Sequence, residues 1–219
     1  MMVSRARGAF TSVVAVVALV GLVGCGDDGG KEQGKSAQGR IEARELCRGN
    51  LSGDAVDAVQ LITGAEEFSS LDSGDKLESL AQAVVDDYLA DGVGGETHRV
   101  CGIYLPGSTL ADVGIDVSLE DGDGVGDGKF AGSFKQYDLG REGLASPRKA
   151  VLYAECVSEK FEGGPVMLRA ALNNRDEPDG DAERLRKANL TLLHSVTLAL
   201  VEQLGCEDRA GLPETAGLA

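Results

Sequence analysis

Few side chains in this sequence could do chemistry, and their spacing decides which chemistry. In Asp121-Gly-Asp123-Gly-Val-Gly-Asp127, counted as a calcium loop, positions 1, 3 and 7 are acidic and position 6 is Gly126. Val125 holds position 5, and Gly132 holds position 12, where a bidentate Glu belongs. A carboxylate-rich loop can bind calcium weakly, but Gly and Asp also suit turn geometry. A solvated hairpin loop over residues 121–128, with no metal, is the expectation. Ser146-Pro-Arg-Lys149 fits S-x-x-K, the nucleophile pattern of penicillin-interacting enzymes. The S-D-N and K-T-G elements that complete that site do not occur, and the match precedes a strand instead of opening a helix. Neither G-x-S-x-G nor H-E-x-x-H occurs. A Ser-His-acid site would have to use His98 or His194, the only two histidines. His98 is expected in a surface turn and His194 along a helix edge, so no catalytic residue is assigned.

The cysteines carry more information. Cys25 ends the stretch Leu22-Val23-Gly24-Cys25, after an apolar run over residues 9–23 with Arg5 and Arg7 just upstream. A basic start, a short apolar run and small residues before a cut are the parts of a secretory signal. The run is about 15 residues long, whereas a membrane span needs about 20. With Cys at the first mature position the stretch resembles a bacterial lipobox, which implies removal of residues 1–24 and thioether-linked acyl chains, palmitate among them, on Cys25. Several chains make a stable anchor, at about 0.8 kcal/mol per buried CH₂. The expected location is therefore the cell membrane, lipid-anchored, facing away from the cytoplasm.

Four cysteines remain, Cys47, Cys101, Cys156 and Cys206. An even number in an exported domain reads as two disulfides, and four cysteines allow three pairings. Their gaps are about fifty residues, too wide for the close pairs of a zinc site. The charge of −15 becomes more negative once Arg5 and Arg7 leave with the signal. Such a chain repels phosphate backbones, so nucleic acid is excluded as a partner. It also repels anionic headgroups, which leaves membrane attachment to the lipid. Asn50-Leu-Ser52 and Asn189-Leu-Thr191 match the eukaryotic glycosylation sequon, and the lipobox of a bacterium removes their weight.

The elements that must position these residues follow from periodicity. Residues 26–39 are mostly Gly, charge and amide, a flexible tether with a reach of about 20 Å, so the lipidated Cys and tether occupy 25–40. A single domain is expected over 41–206. Ser52 is an N-cap, Ala55, Ala58, Val59 and Ile62 form one face, and Gly64 stops that helix. A second helix is expected over 75–90 on Leu77, Leu80, Ala81, Val84, Val85 and Tyr88. The period then changes to 2. Strands are expected over 98–105, 110–120, 129–137, 149–158 and 165–172. Val113, Ile115, Val117 and Leu119 alternate with polar or small residues, giving one buried and one wet face. A long helix over 181–204 carries Leu185, Ala188, Leu192, Val196, Leu200 and Leu204, and Gly205 ends it. Residues 207–219 read as an extended tail. The fold class is α+β, an antiparallel sheet of about five strands with two N-terminal helices and one long C-terminal helix packed on it.

The chain resembles the small surface lipoproteins of actinobacteria, many of them families of unknown function. The resemblance rests on residues 20–25, Glu45-Leu46-Cys47 before a short helix, Cys101-Gly-Ile-Tyr104 before Pro106, and Leu204-Gly205-Cys206 after a long one. It implies a bridge from Cys47 to Cys101, which leaves Cys156 with Cys206. The family implies no activity and no cofactor. These readings together lead to an expectation of a monomeric, membrane-anchored binding or accessory module, its small-molecule or protein ligand unknown, with the sheet and long helix as groove walls. The alternative is a cell-envelope hydrolase with a site near His98 or His194.

Overall fold

The computed structural model describes residues 39–71, 76–122 and 133–218. They form an α+β fold whose centre is a six-stranded antiparallel sheet, in the order β3-β4-β8-β7-β6-β5. The strands are β3 (His98–Ile103), β4 (Val113–Glu120), β5 (Lys135–Tyr137), β6 (Glu142–Ala145), β7 (Lys149–Val157) and β8 (Pro165–Asn174). Two short strands, β1 (Arg40–Glu42) and β2 (Glu67–Ser69), pair separately. The helices are α1 (Gly53–Thr63), α2 (Leu77–Asp91) and α3 (Ala182–Leu204).

The apolar alternation of the strands becomes rows across the sheet. Ile115, Leu172 and Ala150 stand in register, as do Val117, Ala170 and Leu152, and then Leu119, Leu168 and Ala154. All of these are buried. Helix α3 covers this face, packing on β6, β7 and β8, and α1 in turn packs chiefly on α3. Leu190, Leu192, Leu193, Leu200 and Leu204 of α3 are essentially inaccessible. The expected groove walls, sheet and long helix, are therefore packed together. The N-cap of α1 is Ser52, whose hydroxyl accepts from the Ala55 N–H, and Gly64 closes the helix in the left-handed conformation. Tyr88 of α2 meets Phe161 edge to face, with ring centres 5.2 Å apart.

Three features differ from the sequence expectation. The sheet has six strands, and the additional one is β6, a four-residue segment containing Gly143 that is too short to show a period. The left-handed Gly140 precedes it, where a Cβ would lie 2.5 Å from the Tyr153 carbonyl. The pair of short strands β1 and β2 was not expected either. On the second face of the sheet the structure agrees with the sequence, where the continuous apolar centre of residues 150–154 predicts a strand covered on both sides. Leu144, Val151, Tyr153 and Met167 form a small cluster there, with Phe134 against it. Finally, residues 207–218 are not an extended tail. They turn back after α3 and bury Ala210 and Leu212 in the main core, packing chiefly on β7 and also on α3. The start expected for α2 at Asp75 lies outside the described residues, and the helix is described from Leu77.

Both bridges lie in or against the core. Cys47 joins Cys101 with a Cα separation of 5.1 Å, and Cys156 joins Cys206 at 4.9 Å, both ordinary for disulfides. This is the pairing that the resemblance implies. The first ties the turn before α1 to β3, and the second ties β7 to the end of α3.

Candidate functional site

The densest polar arrangement lies at one end of the sheet, where β4 begins and β8 ends. Asp112, just before β4, is buried, with 8% of its surface exposed. Its carboxylate accepts from the Leu105 N–H at 2.7 Å and from the Arg175 guanidinium. Its backbone N–H donates to the Ile103 carbonyl, and its own carbonyl accepts from the Arg175 N–H. Arg175 also donates to the Leu110 carbonyl at 3.3 Å and to Asp176 at 3.2 Å. Fully buried charges need such partners, because desolvation is otherwise uncompensated.

Next to this pair, Asn174 is 4% exposed and its side-chain amide donates to Asn189 Oδ1 on α3 at 3.0 Å. Asn189, wholly buried, donates in turn to the carbonyls of Ser146 and Pro147 at 3.1 and 2.9 Å. These contacts fix both amide orientations. They leave Asn174 Oδ1 buried with no hydrogen-bond partner. Asn174 also lines a hollow of about 300 Å³ walled by Leu61, Ile62, Leu105 and Val113, with Asp176, Glu177 and Asp179 at its acidic side. The volume is at the lower end of ligand pockets.

A wider depression of about 700 Å³ lies on the uncovered face of the same sheet end. Lys149, Asn173, Gly114 and Gly102 stand in one row across β7, β8, β4 and β3. The Arg99 guanidinium lies over Gly114 and pairs with Asp116, while the Tyr104 ring lies over Gly102. Asp112 and Arg175 thus stand between an acceptor-rich hollow and a cationic depression.

The residues singled out from the sequence are dispersed. His98 opens β3 and is mostly buried rather than in a surface turn, because Asp87 of α2 faces it with Oδ2 3.5 Å from its Nε2. That oxygen also accepts the Glu96 N–H. His194 is 3% exposed, not at a helix edge, because residues after α3 fold over it. Its Nε2–H donates to the Pro213 carbonyl at 2.9 Å. Burial pushes its pKa below the ordinary value, against a smaller upward pull from that carbonyl. Ser146 and Lys149 close the tight turn between β6 and β7, where the Lys149 N–H donates to Ser146 Oγ at 3.0 Å. Asp121 lies at the end of β4, while residues 123–132 of the calcium-like loop lie outside the described residues, as do Cys25 and the tether through residue 38.

The hollow's residues were concealed in the sequence. Asn173-Asn-Arg-Asp176 reads there as turn material, and Asn189 interrupts an apolar stripe without announcing its two carbonyl partners. A polar amide inside a helix stripe is the one available signal, since a buried amide must be hydrogen-bonded. No protein-family model, no curated protein and no solved structure matches the chain.

Proposed function

We propose that this chain is a lipid-anchored extracytoplasmic lipoprotein, monomeric and non-catalytic, that acts as a binding or accessory module. The observation that carries the reading is Leu22-Val23-Gly24-Cys25 at the end of a short apolar run. Two disulfides support it, because such bridges persist in oxidising compartments outside the cytoplasm. The acidic charge supports a lipid rather than a basic patch as the attachment. A binding role is favoured over catalysis at His194, whose Nε2–H is taken up by the Pro213 carbonyl inside the fold. The hollow beside Asp112 is the site the reading assigns to the ligand.

The test is metabolic labelling with a fatty acid in a bacterial host. The wild-type chain is expected to carry label and to fractionate with membranes. Cys25→Ala is expected to carry none and to lose membrane attachment through lipid. Label persisting in Cys25→Ala would refute the anchor.

A further inference from the structure

We infer that residues 213–218 form a strap over α3 that lifts when His194 takes up a second ring proton. The device stands apart from the hollow beside Asp112 and does not depend on its ligand. The strap has one polar hold. Among the described residues, the bond from His194 Nε2–H to the Pro213 carbonyl is the only hydrogen bond or ion pair that residues 213–218 make. Its apolar holds are Ala216 and Leu218, both half-buried, while Pro213, Glu214, Thr215 and Gly217 are exposed. Just upstream, Ala210 and Leu212 are buried in the main core, and the Leu212 N–H donates to the Arg209 carbonyl. The chain is therefore firmly held up to Leu212 and lightly held beyond it. Residues 215–218 also wall one side of a hollow of about 540 Å³, bounded elsewhere by Ala58 and Leu61 of α1 and Ala188 of α3. Lifting the strap removes that wall.

His194 suits the closed strap only while neutral. With its proton on Nε2, Nδ1 is a bare acceptor, and it has no hydrogen bond among the described residues. A second proton places a donor there and a positive charge on a side chain that is 3% exposed. Burial disfavours that charge by more than the Pro213 carbonyl favours it. No counter-charge faces the ring. One turn away on α3 stand Leu190, Thr191, Thr197 and Leu198, and Lys187 and Glu202 are two turns off in either direction. On the sheet, Glu142, Lys149, Tyr153, Glu155 and Arg169 stand on the opposite face. Asp54 and Asp57 of α1 are exposed, as are Glu78, Asp86 and Asp91 of α2, whose Asp87 is turned to His98. Glu207, Asp208, Arg209 and Glu214 after α3 are exposed too. A charged ring therefore needs water, and the segment over it with the least to lose by moving is the strap. Closed, the ring takes its second proton below the ordinary value of about 6.5, and open and wet it takes it at that value, so opening gains as pH falls through it.

The chain has no tryptophan. Leu218→Trp therefore supplies a single fluorescent reporter on the strap, with the adjoining hollow to receive its ring. In the full-length chain, lowering the pH from about 7.5 to about 5 should shift its emission to the red and raise its quenching by acrylamide, reversibly, with a midpoint below about 6.5 and unchanged far-ultraviolet circular dichroism. Adding His194→Gln, which keeps an N–H for the Pro213 carbonyl but cannot charge, should remove the transition. Adding His98→Gln or Glu214→Gln should leave it in place. Because His194→Gln alters the core, proton NMR supplies a second measurement. With His98→Gln present the remaining histidine ring signal belongs to His194, and its titration should share the midpoint of the tryptophan shift. No shift in this range, a shift that survives His194→Gln, midpoints that differ, or a shift that accompanies loss of circular dichroism would each overturn the strap.

Discussion

Asp112 holds three chain segments with one carboxylate, and its removal should be felt by each. Asp112→Ala leaves the Leu105 N–H and the Arg175 guanidinium without their acceptor. An orphaned buried group costs about 1–3 kcal/mol, and Arg175 reaches water, so a loss of about 2 kcal/mol is expected in urea unfolding. Asp112→Asn keeps one acceptor and should lose less. At His194 the pKa is depressed in the folded state, so the unfolded chain binds the extra proton first. Stability contributed by neutral His194 is therefore complete above the ordinary histidine value of about 6.5, and falls as pH drops below it toward the folded value. His194→Gln should flatten the slope of unfolding free energy between about pH 5 and 7. A slope identical to wild type would show that other groups set it. Neither role was legible in the sequence. Asp112 reads there as one polar position in an alternating strand, and the partner of His194 comes from a segment without any period.

The elements differ in how plainly they are written. Helix α3 was readable from end to end, because twenty-three residues give a stripe many repeats in which to show itself and Gly205 supplies the stop. Strands β4 and β7 were readable from alternation and from a continuous apolar centre. β1, β2 and β6 have three or four residues each, too few for a period of 2 to declare itself. The segment after α3 was unreadable because its few apolar residues, Ala210 and Leu212 chief among them, reach the core without any period. Leu212→Ala should cost about 2–4 kcal/mol, at the scale of other buried Leu deletions, measured by thermal or urea unfolding. The bridge from Cys156 to Cys206 fixes the end of α3 on β7. It closes a separation of 50 residues, which the chain-entropy model values at about 4 kcal/mol. Against a typical stability of about 5–15 kcal/mol this is a large share. Cys206→Ser should lower the melting temperature strongly and release one titratable thiol, Cys156, in denaturant. No released thiol would mean that Cys156 has found another partner.

For the molecule as a whole, the fold class and the presence of two disulfides were legible while the site was not. Composition and cysteine parity are sums over the chain and survive ignorance of its path. The hollow is assembled from α1, the approach to β4 and the exit of β8, segments brought together by the sheet order. Only topology puts them side by side, and β8 returning between β4 and β7 is not written in any local pattern. The two bridges also give the molecule a load path. A pull applied at the N-terminal end of the described residues first meets three paired residues of β1, and then Cys47. From there tension crosses directly to Cys101, so α1 and α2 lie in a slack loop that tension enters only through the pairing of β1 with β2. A second slack loop between Cys156 and Cys206 shelters α3 and β8, whose Asn174 lines the hollow. In single-molecule stretching between the chain ends, reduction of the bridges should release separations of 54 and 50 residues, about 190 and 170 Å of additional contour at full extension. While the bridges hold, the stretched domain extends only through β3 to β7, and α1, the helix that borders the hollow, stays out of the line of force.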